Sequence, residues 1–410
     1  MGYHADSDSS EDSSDWASFL ALFSELAEAH PPYVAGTLPL PSTAFDLYYK
    51  DANGGSHVVN LVSASSEQLE ALMLACEPAS FGRGGEDVMD EDYRKAGKLD
   101  VSRFSTPIVP ERTTLARIVS DFLLEGEESK TGVEMELYKL NIYGKDSFFK
   151  EHVDTPRSER MLGSLVIVFP TPHHGGELVL RPDSDDDYTF DSGNLLTPGE
   201  ARIGYAAFFS DVAHEVLPVT DGYRITLTFN LYAVESNPRI ATPITVSDQM
   251  AQCSSELSRL LEDDAMMPDG GRLVFGLRHS YPITDSTDIA GTWRWLKGVD
   301  RILWRMLKQM DLKPDMHLLY ELDNDRYDAR GLIREQADLT NLQDDQTGED
   351  AVKRQGVVWT EGVSHNNIVW VTPMNQLSRM EHAYTYYGNQ AGTEWAYAHL
   401  CFVARVGERA

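Results

Sequence analysis

Cysteine is scarce in this chain: three residues in 410, Cys76, Cys253 and Cys401, far apart in sequence. That argues against a disulfide framework and against a cysteine-based zinc site, and suits buried thiols in a reducing compartment. Positive charge is also short, with 35 Lys and Arg against 65 Asp and Glu and a net charge of −30. A chain this acidic, with no long Lys/Arg run, is a poor binder of phosphate backbones or anionic membranes. No apolar run reaches membrane-spanning length. The first residues, MGYHADSDSSEDSSDW, lack the basic and apolar regions of a secretory signal. The expectation is a cytoplasmic or nuclear protein with no membrane and no nucleic-acid partner. Hydrophobic residues still make up 42% and aromatics 10%, enough for a substantial core.

The pattern of hydrophobicity divides the chain. Residues 1–14 read as an acidic, disordered tail. Residues 15–133 read as a helical and β support region, with helices expected at Trp16–His30, Ser66–Ala75 and Pro110–Leu124. The stretch FGRGGEDVMDEDYRKAGKLD is polar and glycine-rich and reads as a loop or short helix. From Glu134 the period shortens. MELYKLNIY, MLGSLVIVF, GELVLR, DYTF, ARIGYAAFF, HEVLPV and YRITLTFNLY are short apolar strands broken by Gly, Pro and Asp. Such a succession over 134–235 fits a sandwich or barrel, and a double-stranded β-helix (jelly roll) in particular. DSDDD, residues 183–187, reads as a solvated hairpin. Residues 236–410 mix helix and strand patterns and read as an α/β extension or a degenerate second jelly roll. The fold class expected is mainly β with flanking helices, a jelly-roll core plus a mixed α/β C-terminal region.

The chemistry concentrates in EHVDTPR (151–157) and FFSDVAHEVLPVTDGYRITLTFNLY (208–232). On a strand, residues two apart share a face, so His152 and Asp154 can hold one ion side by side, with His214 arriving from a neighbouring strand. Two imidazoles and one carboxylate occupy one face of an octahedral ion and leave positions open, the arrangement of non-haem Fe(II) that binds a co-substrate and O2. Arg224 follows His214 by ten residues, in an apolar strand where an unpaired cation is costly. A dicarboxylate co-substrate would pair it. The plainer alternatives are a surface His/Asp pair, a hydrogen-bonded core His214 and a snorkelling Arg224. Arg157 and Arg160 lie just past the first pair and read as surface ion-pairing groups or as contacts for an acidic substrate.

With those residues in view, the stretch from Glu134 to Ala233 resembles the prolyl-4-hydroxylase-like branch of the Fe(II)/2-oxoglutarate oxygenases. The phrases FGRGGEDVMDEDYRKAGKLD, FPTPHHGGELVLR and YYGNQAGTEWAYAHLCFVARVG also resemble an uncharacterised fungal group of that family. The resemblance implies His152, Asp154 and His214 as iron ligands, and Arg224, Tyr143 and Thr228 as contacts for 2-oxoglutarate. It implies Fe(II), 2-oxoglutarate and O2 as reactants, with ascorbate a candidate accessory reductant. The reaction implied is oxidation of a C–H bond in an amino-acid, peptidyl-proline or small-metabolite substrate, with release of succinate and CO2. A carboxylate ligand at Asp154 argues against halogenation. Two other readings stand beside it: an inactive jelly-roll binding protein, and a zinc or manganese hydrolase using the same ligands.

Overall fold

The computed structural model describes residues 16–83, 86–124, 131–182, 187–235, 248–262, 267, 270–284, 286–322, 329–339, 348–360, 368–374, 379–387 and 391–407. The acidic tail and most of DSDDD lie outside the described residues. The chain divides into two compact units, one of residues 31–244 and one of residues 1–30 with 245–410.

The first unit is built on two antiparallel sheets. The strands of these two sheets are β1 (Tyr33–Pro39), β2 (Glu77–Pro78), β3 (Arg94–Lys95), β4 (Gly97–Asp100), β5 (Thr131–Tyr143), β6 (Phe148–His152), β7 (Met161–Val168), β8 (Leu178–Arg181), β9 (Tyr188–Phe190), β10 (Arg202–Phe209), β11 (Ala213–Val216) and β12 (Arg224–Glu235). The larger sheet runs β1-β10-β7-β12-β5-β4-β2 and the smaller one β9-β8-β11-β6-β3. This two-sheet arrangement is the jelly roll expected from the strand pattern.

Strand alternation decides which side chains do what. On β12, Ile225, Leu227, Phe229 and Leu231 are buried on one face, as are Leu140 and Ile142 of β5 and Leu165 and Ile167 of β7. The helix Thr114–Leu124 packs against β5 and β1 and brings buried Leu115, Val119 and Leu123. The helix Ser66–Ala75 forms where its sequence predicts, closed by a capping box between Ser65 and Gln68. The opposite face of β5, β7 and β12 carries the polar residues Asn141, Tyr143, Ser164, Arg224, Thr226 and Thr228, which line the cavity described below.

FGRGGEDVMDEDYRKAGKLD departs from the loop or short helix expected. It contains the hairpin strands Phe81–Arg83 and Glu86–Val88 and then β3 and β4. Arg94 and Lys95 pair with Phe149 and Phe148 of β6, and β4 pairs with β5. Backbone groups at the two sheet edges claim a polar segment that propensity alone would leave as coil.

The second unit holds a mixed sheet of seven strands, with Gly271–Gly276 parallel to Ile368–Thr372 and the other pairings antiparallel. Helices pack on one face, around Leu273, Phe275, Leu318, Leu400 and Phe402. Among the described residues it is an α/β layer rather than two facing sheets. The helix Ala17–Ala29 belongs to this unit, which differs from the sequence boundary that grouped residues 15–133. Its apolar residues Phe19, Leu26 and Ala27 share a core with Cys253 and Leu257 of the helix Asp248–Glu262. A partner more than 200 residues away leaves no local signal.

Candidate active site

His152 ends β6 and His214 lies on β11, and the two residues are direct partners across that antiparallel pair. Asp154 follows two residues after His152, and one ligand atom from each of the three lies within 4.8 Å of the others. Each imidazole is oriented by its own strand. His152 Nδ1 donates to the Lys150 carbonyl at 2.9 Å, and His214 Nδ1 donates to the Val212 carbonyl at 2.9 Å. A carbonyl can only accept, so each ring carries a proton on Nδ1 and leaves Nε2 as its ligand atom. Asp154 Oδ2 accepts from Ser164 Oγ at 2.5 Å, and Asp154 Oδ1 is 3.9 Å from His214 Nε2. Phe149 stacks on His152 with ring centroids 3.6 Å apart, and Phe208 lies 4.6 Å from the His214 ring.

The electrostatics keep the ligands in their binding forms. Burial, with His214 alongside, pushes His152 down to about 3, so the ring is neutral at ordinary pH. Burial alone would raise Asp154. His214, the Ser164 hydrogen bond and His152 outweigh it and hold the carboxyl below the usual range. Two imidazoles and a carboxylate are the donor set that iron(II) takes, so the residues present fit it.

Arg224 opens β12 opposite Tyr143 of β5. It is 1% exposed, and its guanidinium carbon stands 5.6 Å from the Tyr143 ring centroid. Burial pushes it down to about 10, against smaller upward contributions from Tyr143 and Glu177. Its Nε and Nη2 have no hydrogen-bond partner. A buried guanidinium with two orphan donors is costly unless an anion pairs it, and a planar carboxylate fits such a fork. The distal carboxylate of 2-oxoglutarate therefore fits this end of the cavity.

The glycines of HHGGE explain how Arg224 is placed. Gly176 has φ +74°, and a Cβ there would lie 2.9 Å from Arg224 Cδ and 2.7 Å from Val219 Cγ2. His173 and His174 point to opposite sides, as alternation requires. His173 is buried between the Thr171 carbonyl at 2.7 Å and Ser192 Oγ at 3.0 Å, while His174 is exposed.

Both sheets contribute to one cavity of about 490 Å³ that holds His152, Asp154, His214, Arg224, Tyr143 and Thr228 together. Thr228 is four residues from Arg224 on the same face, opposite Lys139, and its Oγ1 accepts from Asn141 Nδ2 at 3.1 Å. Thr226, 1% exposed, stands between Thr228 and Arg224. Ser164, Asn141, Thr226, Lys139 and Arg94 are lining residues that the sequence reading did not single out. Counting back from Tyr143 in steps of two would have found Asn141 and Lys139; Arg94 offers no such signal. Arg94 donates to the Ser80 carbonyl at 2.6 Å and to Asn141 Oδ1 at 2.9 Å, and lies over the Phe149 ring at 4.3 Å. Burial, with Arg94 alongside, pushes Lys139 down to about 7.

Residues 138–232 match the family model described as the 2OG-Fe(II) oxygenase superfamily. Solved structures similar to this chain include a prolyl-4-hydroxylase from Pseudomonas putida, at 19% identity and TM-score 0.32, covering 52% of this chain and 98% of that one. A 2OG-Fe(II) oxygenase family oxidoreductase from Burkholderia pseudomallei aligns at 19% identity and TM-score 0.29, covering 54% and 94%. A prolyl hydroxylase from Trichoplax adhaerens, solved with a hypoxia inducible factor oxygen degradation domain peptide fragment, aligns at 14% identity and TM-score 0.30, covering 54% and 91%. No curated protein matches the chain. Residues 138–232, which carry His152, Asp154, His214 and Arg224, thus match the 2OG-Fe(II) oxygenase superfamily, which implies Fe(II), 2-oxoglutarate and O2 as reactants.

Proposed function

We propose that this chain oxidises a C–H bond of an amino-acid, peptidyl-proline or small-metabolite substrate, hydroxylation being the simplest outcome, with release of succinate and CO2. One observation carries the reading: a His, Asp, His triad shares a single cavity with a buried arginine whose Nε and Nη2 are unpartnered. Iron(II) with 2-oxoglutarate and O2 supplies an oxidant strong enough to attack an unactivated C–H bond. The chain's own residues hold and aim it. His152, Asp154 and His214 bind the metal, with the Lys150 and Val212 carbonyls and Ser164 fixing their orientation. Arg224 clamps the distal carboxylate of 2-oxoglutarate beside Tyr143. Thr228 acts through Asn141, setting the wall between the co-substrate and the cavity mouth.

A hydrolase needs a base, and Asp154 is the only carboxylate lining the cavity among the described residues. Glu215, adjacent to His214, is turned to the other face and bound by Arg181. No helix of the described residues is long and apolar enough to cross a membrane. Three unpaired thiols support a reducing, cytoplasmic or nuclear setting. The test is succinate formation from 2-oxoglutarate in the presence of Fe(II) and O2. Turnover that vanishes in Asp154→Ala supports the reading; no turnover by folded wild-type protein with any candidate substrate contradicts it.

A further inference from the structure

The cavity carries more positive charge than iron and 2-oxoglutarate can use. Among the described residues its cationic lining is Arg94, Lys139, Arg157 and Arg224, against the single carboxylate of Asp154. Iron(II) and the 2-oxoglutarate dianion add up to no charge, and Arg224 and Asp154 cancel. Arg94, Arg157 and the protonated form of Lys139 are left over, in a chain whose net charge is −30. Several cations in one concave wall are mutually repulsive, and they focus a positive field into the cavity.

Arg94 has structural work, tying Ser80 to Asn141. Lys139 and Arg157 have none of that kind. The Lys139 ammonium sits 4.3 Å from the centroid of the Tyr138 ring, and the Arg157 guanidinium 4.2 Å from the same centroid. Arg157 also donates to the Tyr138 hydroxyl. Among the described residues neither cation has a carboxylate at ion-pair distance. The backbone is shaped to bring them together: β5 shifts register between Leu137 and Lys139, so Tyr138 is a bulge residue. A bulge lets two successive side chains face one side of a sheet, and Tyr138 and Lys139 both line the cavity. Lys139 is also four residues from Tyr143, about 13 Å along the strand at ~3.3 Å per residue, which separates it from the end that Arg224 holds.

We propose that the substrate carries a carboxylate, received in the cavity by Lys139 and Arg157, which both lie against the Tyr138 ring. This rests on the oxygenase reading above and names the substrate class for the same site. A cavity of about 490 Å³ is of a size that holds small-molecule ligands, so the co-substrate and a small acid, or one acidic residue of a peptide, are suitable occupants.

The test uses protein loaded anaerobically with Fe(II) and 2-oxoglutarate. Paired probes are titrated calorimetrically: N-acetyl amino acids against their amides, and a short peptide with an internal glutamate against its glutamine counterpart. The visible iron-to-keto-acid band in the same samples reports whether iron and 2-oxoglutarate are in place. The expected result is an acid that binds at least ten-fold tighter than its neutral partner. Lys139→Met and the exposed-site variant Arg157→Gln should each remove ten-fold or more of that affinity and leave the neutral probe unchanged. The free-acid and peptide arms distinguish a small acid from an acidic peptide. Equal binding of acid and neutral partner, absence of binding by any acid included, overturns the proposal. So does a Lys139→Met loss that falls on 2-oxoglutarate instead of the acid. A band without acid preference sinks this inference alone; a missing band sinks the oxygenase reading with it.

Discussion

His152 and His214 stand directly opposite each other across the β6–β11 pair, with ring centroids 4.2 Å apart. Two of the proposed metal ligands therefore come from one rung of one ladder, and the third, Asp154, is anchored to the facing sheet through Ser164. Ser164→Ala should leave the fold intact and weaken metal binding by about 10- to 100-fold, the usual cost of losing an outer-shell partner. Titration with Mn(II) or Co(II) measures this. Unchanged affinity would mean that Asp154 is held without the sheet-to-sheet hydrogen bond.

Gly176 should tolerate no side chain. Its φ of +74° and the closeness of Arg224 Cδ and Val219 Cγ2 act together. Gly176→Ala is expected to cost about 1–3 kcal/mol of stability, as strained backbone positions do. It should also raise the 2-oxoglutarate requirement by displacing Arg224. Denaturant unfolding and a 2-oxoglutarate titration separate the two effects.

The legible part of this chain was the part whose chemistry is local. His152, His214 and Arg224 could be read as strand positions because period two fixes which residues share a face; Asp154 lies two residues past the end of β6, outside the strand that the spacing predicts, and Ser164 holds it. The jelly roll followed from the same alternation. What stayed hidden depends on distant pairing. The Ala17–Ala29 helix looks like any amphipathic helix until the Asp248–Glu262 helix covers it. Arg94 gains its place only because an edge pairing draws a polar segment onto β6. The bulge at Tyr138 moves Tyr138 and Lys139 onto one face, which strict alternation forbids.

Arg181 ties together the backs of the ligand strands. It pairs with Glu151 at 3.1 Å, with Asp187 at 3.3 Å and closely with Glu215. Glu151 precedes His152 and Glu215 follows His214. Arg181→Met should lower stability by about 1 kcal/mol, since these groups are partly exposed and screened, and should loosen metal binding. Raising salt to molar strength should destabilise the wild type toward the variant and leave the variant nearly unaffected; thermal unfolding at two salt concentrations checks this.

His173 gives the stability a pH dependence of defined sign. Burial pushes it down to about 4, from an ordinary value of 6.5. The unfolded chain takes up the proton near 6.5 and the folded chain resists until about 4, so the unfolded state binds more protons across that window. Stability should therefore fall as pH drops from 6.5 toward 4. His152, pushed down to about 3, acts in the same direction. His173→Asn should flatten the slope without abolishing it. An unchanged slope in the variant would mean that His173 takes up its proton as readily in the folded protein as in the unfolded chain.

The central claim, that one cavity binds iron through His152, Asp154 and His214 and 2-oxoglutarate through Arg224, is tested most directly by adding Fe(II) and then 2-oxoglutarate to the protein without oxygen. The account predicts a visible iron-to-keto-acid charge-transfer band, absent in His152→Ala and requiring much more 2-oxoglutarate in Arg224→Ala. No band in well-folded wild-type protein, or a band indifferent to both substitutions, would contradict it.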